Sequence, residues 1–251
     1  MTSPRVKFKN LKWDSQQLSV ACGLIDLTGI GSAEKPAAAA AIKKLAQQNC
    51  KTDFITIKVP LEKVAMVNEL IHWGARLIEA EITFCFPRQK KPIKAVQNRW
   101  CFCKFVKTTP PDEFVSLAAQ MHHSRFFLDK MISFKKAKQL WEASLNNYCQ
   151  GRADELVIAY FRGKPAGIVT LNFNKRQGID LFIVGVKKDF QRRHIGAAML
   201  NAICARYAHK YSIIVQTQAN NLPACRLYQS QGFGYCGFTY VLHYWRNQAE
   251  R

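Results

Sequence analysis

The chain has 251 residues, enough for one large or two small domains with a buried core, and 48% hydrophobic against 22% charged content is globular, not disordered. No apolar run approaches the roughly 20 residues of a membrane span, and the opening MTSPRVKFKNLKW is polar and basic without the apolar centre of a secretory signal, so no span and a cytoplasmic location are expected. The formal net charge of +20 favours anionic partners and disfavours polycations such as polyamines.

Taken in order, Val6 to Leu11 and Leu18 to Leu27 read as strands, Gly29 to Ser32 as a turn with Ser32 as a cap, and Ala37 to Gln48 as an alanine-rich helix. Phe54 to Val59 alternates as a strand does, Leu61 to Trp73 carries a helical apolar face, Gly74 ends that helix, and Leu77 to Phe86 is again a strand. The basic, proline-bounded break Pro87 to Pro92 marks a boundary, so residues 1–95 are expected to form a smaller α/β domain and 96–251 a second. Arg88 to Lys107 holds seven lysines and arginines and no acid; it reads as a solvated linker followed by a strand with exposed lysines, or as a track for a polyphosphate backbone.

In the second half, Trp100 to Val106 is a strand, the helix opened by Pro110 and Pro111 runs through Met121, and Lys135 to Tyr148 is a longer helix. Leu156 to Arg162 and Ala166 to Phe173 form a hairpin over Gly163 and Pro165. A strand over Leu181 to Val186, a helix from near Gly196, a strand over Tyr211 to Thr217, a helix over Leu222 to Gln231 and a strand over Tyr235 to Trp245 complete the chain. The helix–Gly74–strand and helix–Gly232–strand passages echo each other, which suggests a degenerate internal repeat. Nine cysteines, odd in number and irregularly spaced, argue for reduced, packed thiols, and Cys101 and Cys103 lack metal-ligand spacing, so no metal is expected.

The stretch Leu181 to Leu200 joins a buried strand, a basic loop and a helix start. Unpaired N–H groups and about half a positive charge at a helix N-terminus suit an anion; taken alone, the same stretch is also an ordinary strand–turn–helix with a solvated loop. Two patterns decide between these. Arg193, Gly196 and Ala198 fit [QR]-x-x-G-x-[GA], and Asn221, Ala224, Tyr228, Gly232 and Phe233 fit N-x-x-A-x-x-x-Y-x-x-x-G-F. With the elements between them, residues from about 110 to 245 resemble the GCN5-related N-acetyltransferases, or GNAT superfamily.

That resemblance implies a GNAT fold of class α/β (α+β), a mixed central sheet with flanking helices, preceded here by an α/β domain like a partial GNAT half. It implies acetyl-CoA as co-substrate: the backbone of Gln191, Arg192, Arg193, His194, Ile195, Gly196, Ala197 and Ala198 would hold the pyrophosphate. Val184, Gly185 and Val186 would pair with the pantetheine arm and present an N–H to the thioester carbonyl, Asn221 would contact the cofactor, and Tyr228 would protonate the departing thiolate. The alternative for Tyr228 is a core tyrosine of an amphipathic helix.

The whole chain is similar, more narrowly, to the dTDP-fucosamine acetyltransferases of surface-polysaccharide synthesis, on Leu11 to Asp14, the break after Phe86, Ser124-Arg125-Phe126 and Asn221 to Gly232. This implies a nucleotide-diphosphate amino-sugar acceptor and a homodimer, and no nucleic-acid partner. Arg125 would pair with the diphosphate, Phe126 or Phe127 would stack on base or sugar, and Ser124 would lie in the same region. His122 and His123 are candidate bases, and the same residues also read as a helix end with phenylalanines in the core. A protein, peptide or small-amine acceptor, or a non-catalytic nucleic-acid-binding role, are the alternatives.

Overall fold

The computed structural model describes residues 7–28, 37–94, 100–174 and 178–246. The expected turn and cap at Gly29 to Ser32, and Arg99 of the basic stretch, lie outside them. The chain divides into two compact units: Met1–Glu81, His123–Leu140 and Gly237–Arg251 form the first, Ile82–His122 and Trp141–Cys236 the second. Two later segments thus group with the N-terminal part.

The first unit contains β1 (Phe8–Asn10), α1 (Lys12–Leu18), β2 (Cys22–Asp26), α2 (Ala37–Gln48), β3 (Phe54–Pro60), α3 (Val64–His72), the start of β4 (Arg76–Phe86), α4 (Arg125–Leu128), the start of α5 (Phe134–Asn147) and the end of β10 (Gly234–Trp245). Its strands run in the order β1-β2-β3-β10, with β2 and β3 parallel and the other pairs antiparallel. The alternation read in β3 divides its faces. Ile55, Ile57 and Val59 pack with Ile42 and Ala46 of α2 and with Met66, Val67 and Leu70 of α3. Thr56 and Lys58 point the other way.

The second unit is built from the end of β4, β5 (Cys101–Val106), the end of α5, β6 (Glu155–Phe161), β7 (Lys164–Asn174), β8 (Gly178–Val186), α6 (Ile195–Tyr207), β9 (Ser212–Gln218) and α7 (Leu222–Ser230), with the start of β10. Its strand order is β4-β9-β8-β7-β6-β5. The β5–β8 strands pair antiparallel and β8 pairs with β9 in parallel. Ile195, Met199, Leu200 and Ile203 of α6 pack on one face of this sheet; Phe114, Leu117, Leu145 and Tyr148 pack on the other. Mixed α/β with helices flanking a mixed sheet is the class expected.

Several readings need correction. Lys12–Leu18 is a helix that the patterns did not indicate, and Leu18 ends it instead of starting a strand; seven residues are under two turns, too few for a helical period to show. Pro60 belongs to β3, and α3 starts at Val64 instead of Leu61. The helix expected from Pro110 to Met121 is two 3₁₀ turns, Pro111–Glu113 and Val115–Gln120. The tighter winding aligns residues three apart, which puts Phe114 and Leu117 into one core. The thiols are not uniformly reduced: Cys85 of β4 and Cys236 of β10 form a disulfide. Among the described residues no helix is long and apolar enough to cross a membrane.

The echo between the two halves extends to backbone detail. Gly74 (φ 105°) and Gly232 (φ 83°) are both left-handed. After α3, the N–H groups of Gly74 and Ala75 donate to the carbonyls of Ile71 and Leu70; after α7, those of Gly232 and Phe233 donate to Gln229 and Tyr228. The two helices end on the same cap.

Because the Cys85–Cys236 bridge spans 151 positions of sequence, it removes much freedom from the unfolded chain. A dithiol reductant, or Cys236→Ser, should lower stability by about 2–4 kcal/mol and Tm by roughly 5–10 °C in calorimetry, whereas an unchanged Tm would show that the bridge adds nothing.

Candidate active site

The strand β8 departs from regular pairing in two ways. Against β7, Val184 pairs with Val169 and Leu181 with Leu171, so Phe182 and Ile183 together face Thr170 alone. That is a β-bulge. The Ile183 N–H donates to the Thr170 hydroxyl (3.0 Å), which replaces the ladder bond lost there. Against β9, paired register runs only from Gly178–Ser212 to Leu181–Val215. From Phe182 to Val186, β8 therefore turns an edge of backbone N–H and C=O groups away from β7. Such an edge can be completed by an extended, amide-bearing ligand.

Val184, Gly185 and Val186 lie on this edge, where β8 pairs with Val169, Ile168 and Gly167 of β7. A Cβ on Gly185 would fall 2.8 Å from Leu117, and one on Gly167 would fall 2.9 Å from the Gly185 carbonyl. Both glycines are required by close packing of β7, β8 and the 3₁₀ segment.

The loop after β8 reaches α6 with Arg192 (φ 59°) and His194 (φ 57°) both left-handed. Non-glycine residues enter that region at a cost of roughly 1 kcal/mol or more, and such strain concentrates at ligand sites. His194 caps α6 without a side-chain bond, and the first helical bond is from the Ala198 N–H to the His194 carbonyl, 2.9 Å. The N–H groups of Ile195, Gly196 and Ala197 precede it and have no helical acceptor. Arg192, Arg193 and His194 are exposed. The Gln191 amide donates to Gln120 (2.7 Å) and to the Val186 carbonyl (3.2 Å), tying the loop to the strand edge. Gly196 has a packing role as well: a Cβ there would lie 2.9 Å from Leu227 of α7. An open strand edge leading into free N–H groups and cationic side chains fits an acyl thioester on an amide-bearing, diphosphate-terminated arm.

Asn221 caps α7, its side-chain oxygen accepting from the Ala224 N–H (3.4 Å) while its amide donates to Thr217 of β9 (3.2 Å). Tyr228 is 3% exposed, with its ring 5.3 Å from Phe84 and 6.1 Å from Phe233. Burial raises its phenol well above the ordinary range, so the proton stays on oxygen at neutral pH. All the donor-side candidates, from Val184 to Ala198 with Asn221 and Tyr228, belong to the second unit.

His123, Ser124, Arg125 and Phe126 belong to the first. Ser124 precedes α4, Phe126 is buried, and the Arg125 guanidinium lies 4.4 Å over the Phe126 ring and 3.7 Å from Asp14. Its Nε is buried with no partner. Arg125 is thus partly paired within the protein, and Phe126 lies beneath it and not open to a base.

Arg125 acts on a set of groups that no motif pointed to. Glu79 and Glu81, alternate residues of β4, are each 7% exposed; Glu81 pairs with Lys58 at 2.6 Å, and one Glu79 oxygen has no partner. Burial first, then the Glu81 charge, pushes the Glu79 carboxyl up to about 8, against the opposing charges of Arg125 and Lys58. Beside them, Asp129 accepts from Arg76 (2.6 Å), His243 (2.7 Å) and Trp245 (2.9 Å). His243 is wholly buried, and burial lowers it to about 4. In sequence, a Glu-x-Glu strand reads as a solvated face, so only the residues covering it could have revealed this layer.

Residues 119–233 match the family model described as the acetyltransferase (GNAT) family. The spore coat polysaccharide biosynthesis protein SpsD of Bacillus subtilis is 24% identical over 212 residues, covering 79% of this chain and 69% of its own. A functionally unknown conserved protein from Staphylococcus epidermidis has a similar fold, with TM-score 0.64, 16% identity and coverage of 97% of this chain and 92% of its own. A GCN5-related N-acetyltransferase from Sphaerobacter thermophilus gives a TM-score of 0.61 at 12% identity, over 95% and 76% of the two chains.

The buried carboxyl pair has a consequence for stability. A carboxyl raised from its ordinary 4.5 to about 8 in the folded state holds its proton more tightly there, so it opposes folding increasingly as pH rises through that window. Glu79→Gln should therefore raise Tm above wild type at pH 8, and the difference should close by pH 4.5 in a calorimetric series; parallel pH profiles would contradict the assignment. His243 acts at the other end: lowered from 6.5 to about 4, it weakens folding as pH falls through that interval.

Proposed function

We propose that this chain, whose residues 119–233 match the acetyltransferase (GNAT) family model, is an acetyl-CoA-dependent N-acetyltransferase and that its acceptor is a nucleotide-linked amino-dideoxy sugar, acetylated on the C4 amine. The observation that carries the acceptor class is the similarity to a polysaccharide-biosynthesis protein over 79% of the chain. The net charge of +20 supports it, because both substrates would then be polyanionic diphosphates.

Acetyl-CoA supplies an activated acetyl thioester. In this proposal the backbone of Val184 to Val186 holds the pantetheine arm and donates to the thioester carbonyl, Gln191 to Ala198 hold the pyrophosphate, and Asn221 borders the arm. Tyr228 gives its proton to the leaving thiolate. His123, Ser124 and Arg125 are assigned to the acceptor, Arg125 through its charge, while Phe126, buried beneath the guanidinium, supports Arg125 and does not stack on the base. Residues 1–95 are proposed to descend from a GNAT half, a view supported by the identical caps after α3 and α7. A cytoplasmic homodimer belongs to the same proposal.

The test is thiol release from acetyl-CoA with a dTDP-4-amino-4,6-dideoxy sugar as acceptor. Wild type should turn over, and Tyr228→Phe should lose about 10²-fold or more in kcat while its KM for acetyl-CoA stays within about twofold. Equal losses in both constants would make the tyrosine structural. Turnover with peptide amines and none with the nucleotide sugar would overturn the acceptor class.

A further inference from the structure

We propose that Phe182, with Tyr148 and Trp141 behind it, is a stacking platform for the nucleobase of the acceptor, an inference that rests on the nucleotide-sugar reading above. Phe182 is 53% exposed, an unusual state for a phenylalanine in the middle of a strand. It is the first residue past the paired register with β9 and the first of the two bulge residues facing Thr170. Bulges re-aim side chains, and this one turns a large ring outward where the strand edge opens.

The ring is held, not loose. Its centroid lies 5.0 Å from that of Tyr148 with planes 26° apart, and 6.2 Å from that of Trp141 at 30°. Tyr148 itself is buried among Phe114, Leu117 and Leu145, so it cannot move with the exposed ring. The Arg152 guanidinium sits 5.3 Å from the Tyr148 ring. An exposed ring with two others within 26° and 30° of its plane, and a cation beside one of them, matches a planar aromatic base attached to phosphates. Two other strand aromatics of this unit are exposed, Phe102 of β5, stacked on Tyr160 at 5.0 Å with Lys104 5.8 Å from its centroid, and Tyr235 of β10, whose hydroxyl accepts from Gln229; neither lies on β8, the strand that leads into the loop before α6.

The experiment is isothermal titration of dTDP and, separately, of inorganic pyrophosphate into the full chain with coenzyme A present, for wild type, Phe182→Ala and Phe182→Tyr. Loss of one base–aromatic stack should weaken dTDP binding about tenfold in Phe182→Ala and leave pyrophosphate unchanged, with Phe182→Tyr restoring wild-type affinity. If wild type binds dTDP and Phe182→Ala binds it equally well, the platform is wrong and the nucleotide-sugar reading stands. If wild type binds no dTDP, that reading falls and the platform with it.

Discussion

What the second unit offers a substrate depends on β8 parting from β9 after Leu181. A parallel pair that stayed zipped to Val186 would spend its backbone groups on each other. Instead the bulge opposite Thr170 bends β8, and the edge it exposes leads directly into the loop before α6. The Thr170 hydroxyl is the small device that makes this affordable, since it accepts the Ile183 N–H that the bulge would otherwise orphan in a buried layer. Gly185 and Gly167 then let the 3₁₀ segment and the neighbouring strand approach closely enough to hold the parted strand in place.

The first unit is organised by a different constraint, the enclosure of charge. One face of β3 and β10 is apolar and packs on α2 and α3; the other carries Thr56, Lys58 and His243. With Glu79, Glu81, Asp129 and Arg125, this face forms a buried polar layer in which several atoms lack partners, among them Nε2 of His243 and Oε2 of Glu79. Unmet buried polar groups cost roughly 1–3 kcal/mol each, so a layer of them is not what packing alone would select. Perturbed carboxyls and orphaned atoms gather at functional sites and in structural ion-pair networks alike.

Most strands and long helices were legible in the sequence because they are periodic over two turns or more: β3, α5, the β6–β7 hairpin, α6 and α7 fall close to where their patterns place them. The elements that were not legible are short or depend on partners. Lys12–Leu18 is too brief to show a period, and the 3₁₀ segments around Phe114 are set by the core they enter. The loop, cap and helix start proposed for the donor side were readable because they are contiguous from Gln191 to Ala198. Glu79, Glu81 and Lys58 were not, since their burial depends on segments far away in sequence. Nor was the Cys85–Cys236 bridge, because strand adjacency and not cysteine spacing brings those thiols together.

The central claim is that the open edge of β8 and the loop into α6 are one continuous seat for acetyl-CoA. Hydrogen–deuterium exchange of the full chain with and without acetyl-CoA tests it most directly. Protection is expected in a single run from Phe182 to Ala198, with β6 and the apolar face of β3 unchanged. Tight binding of acetyl-CoA without slowed exchange in that run would contradict it.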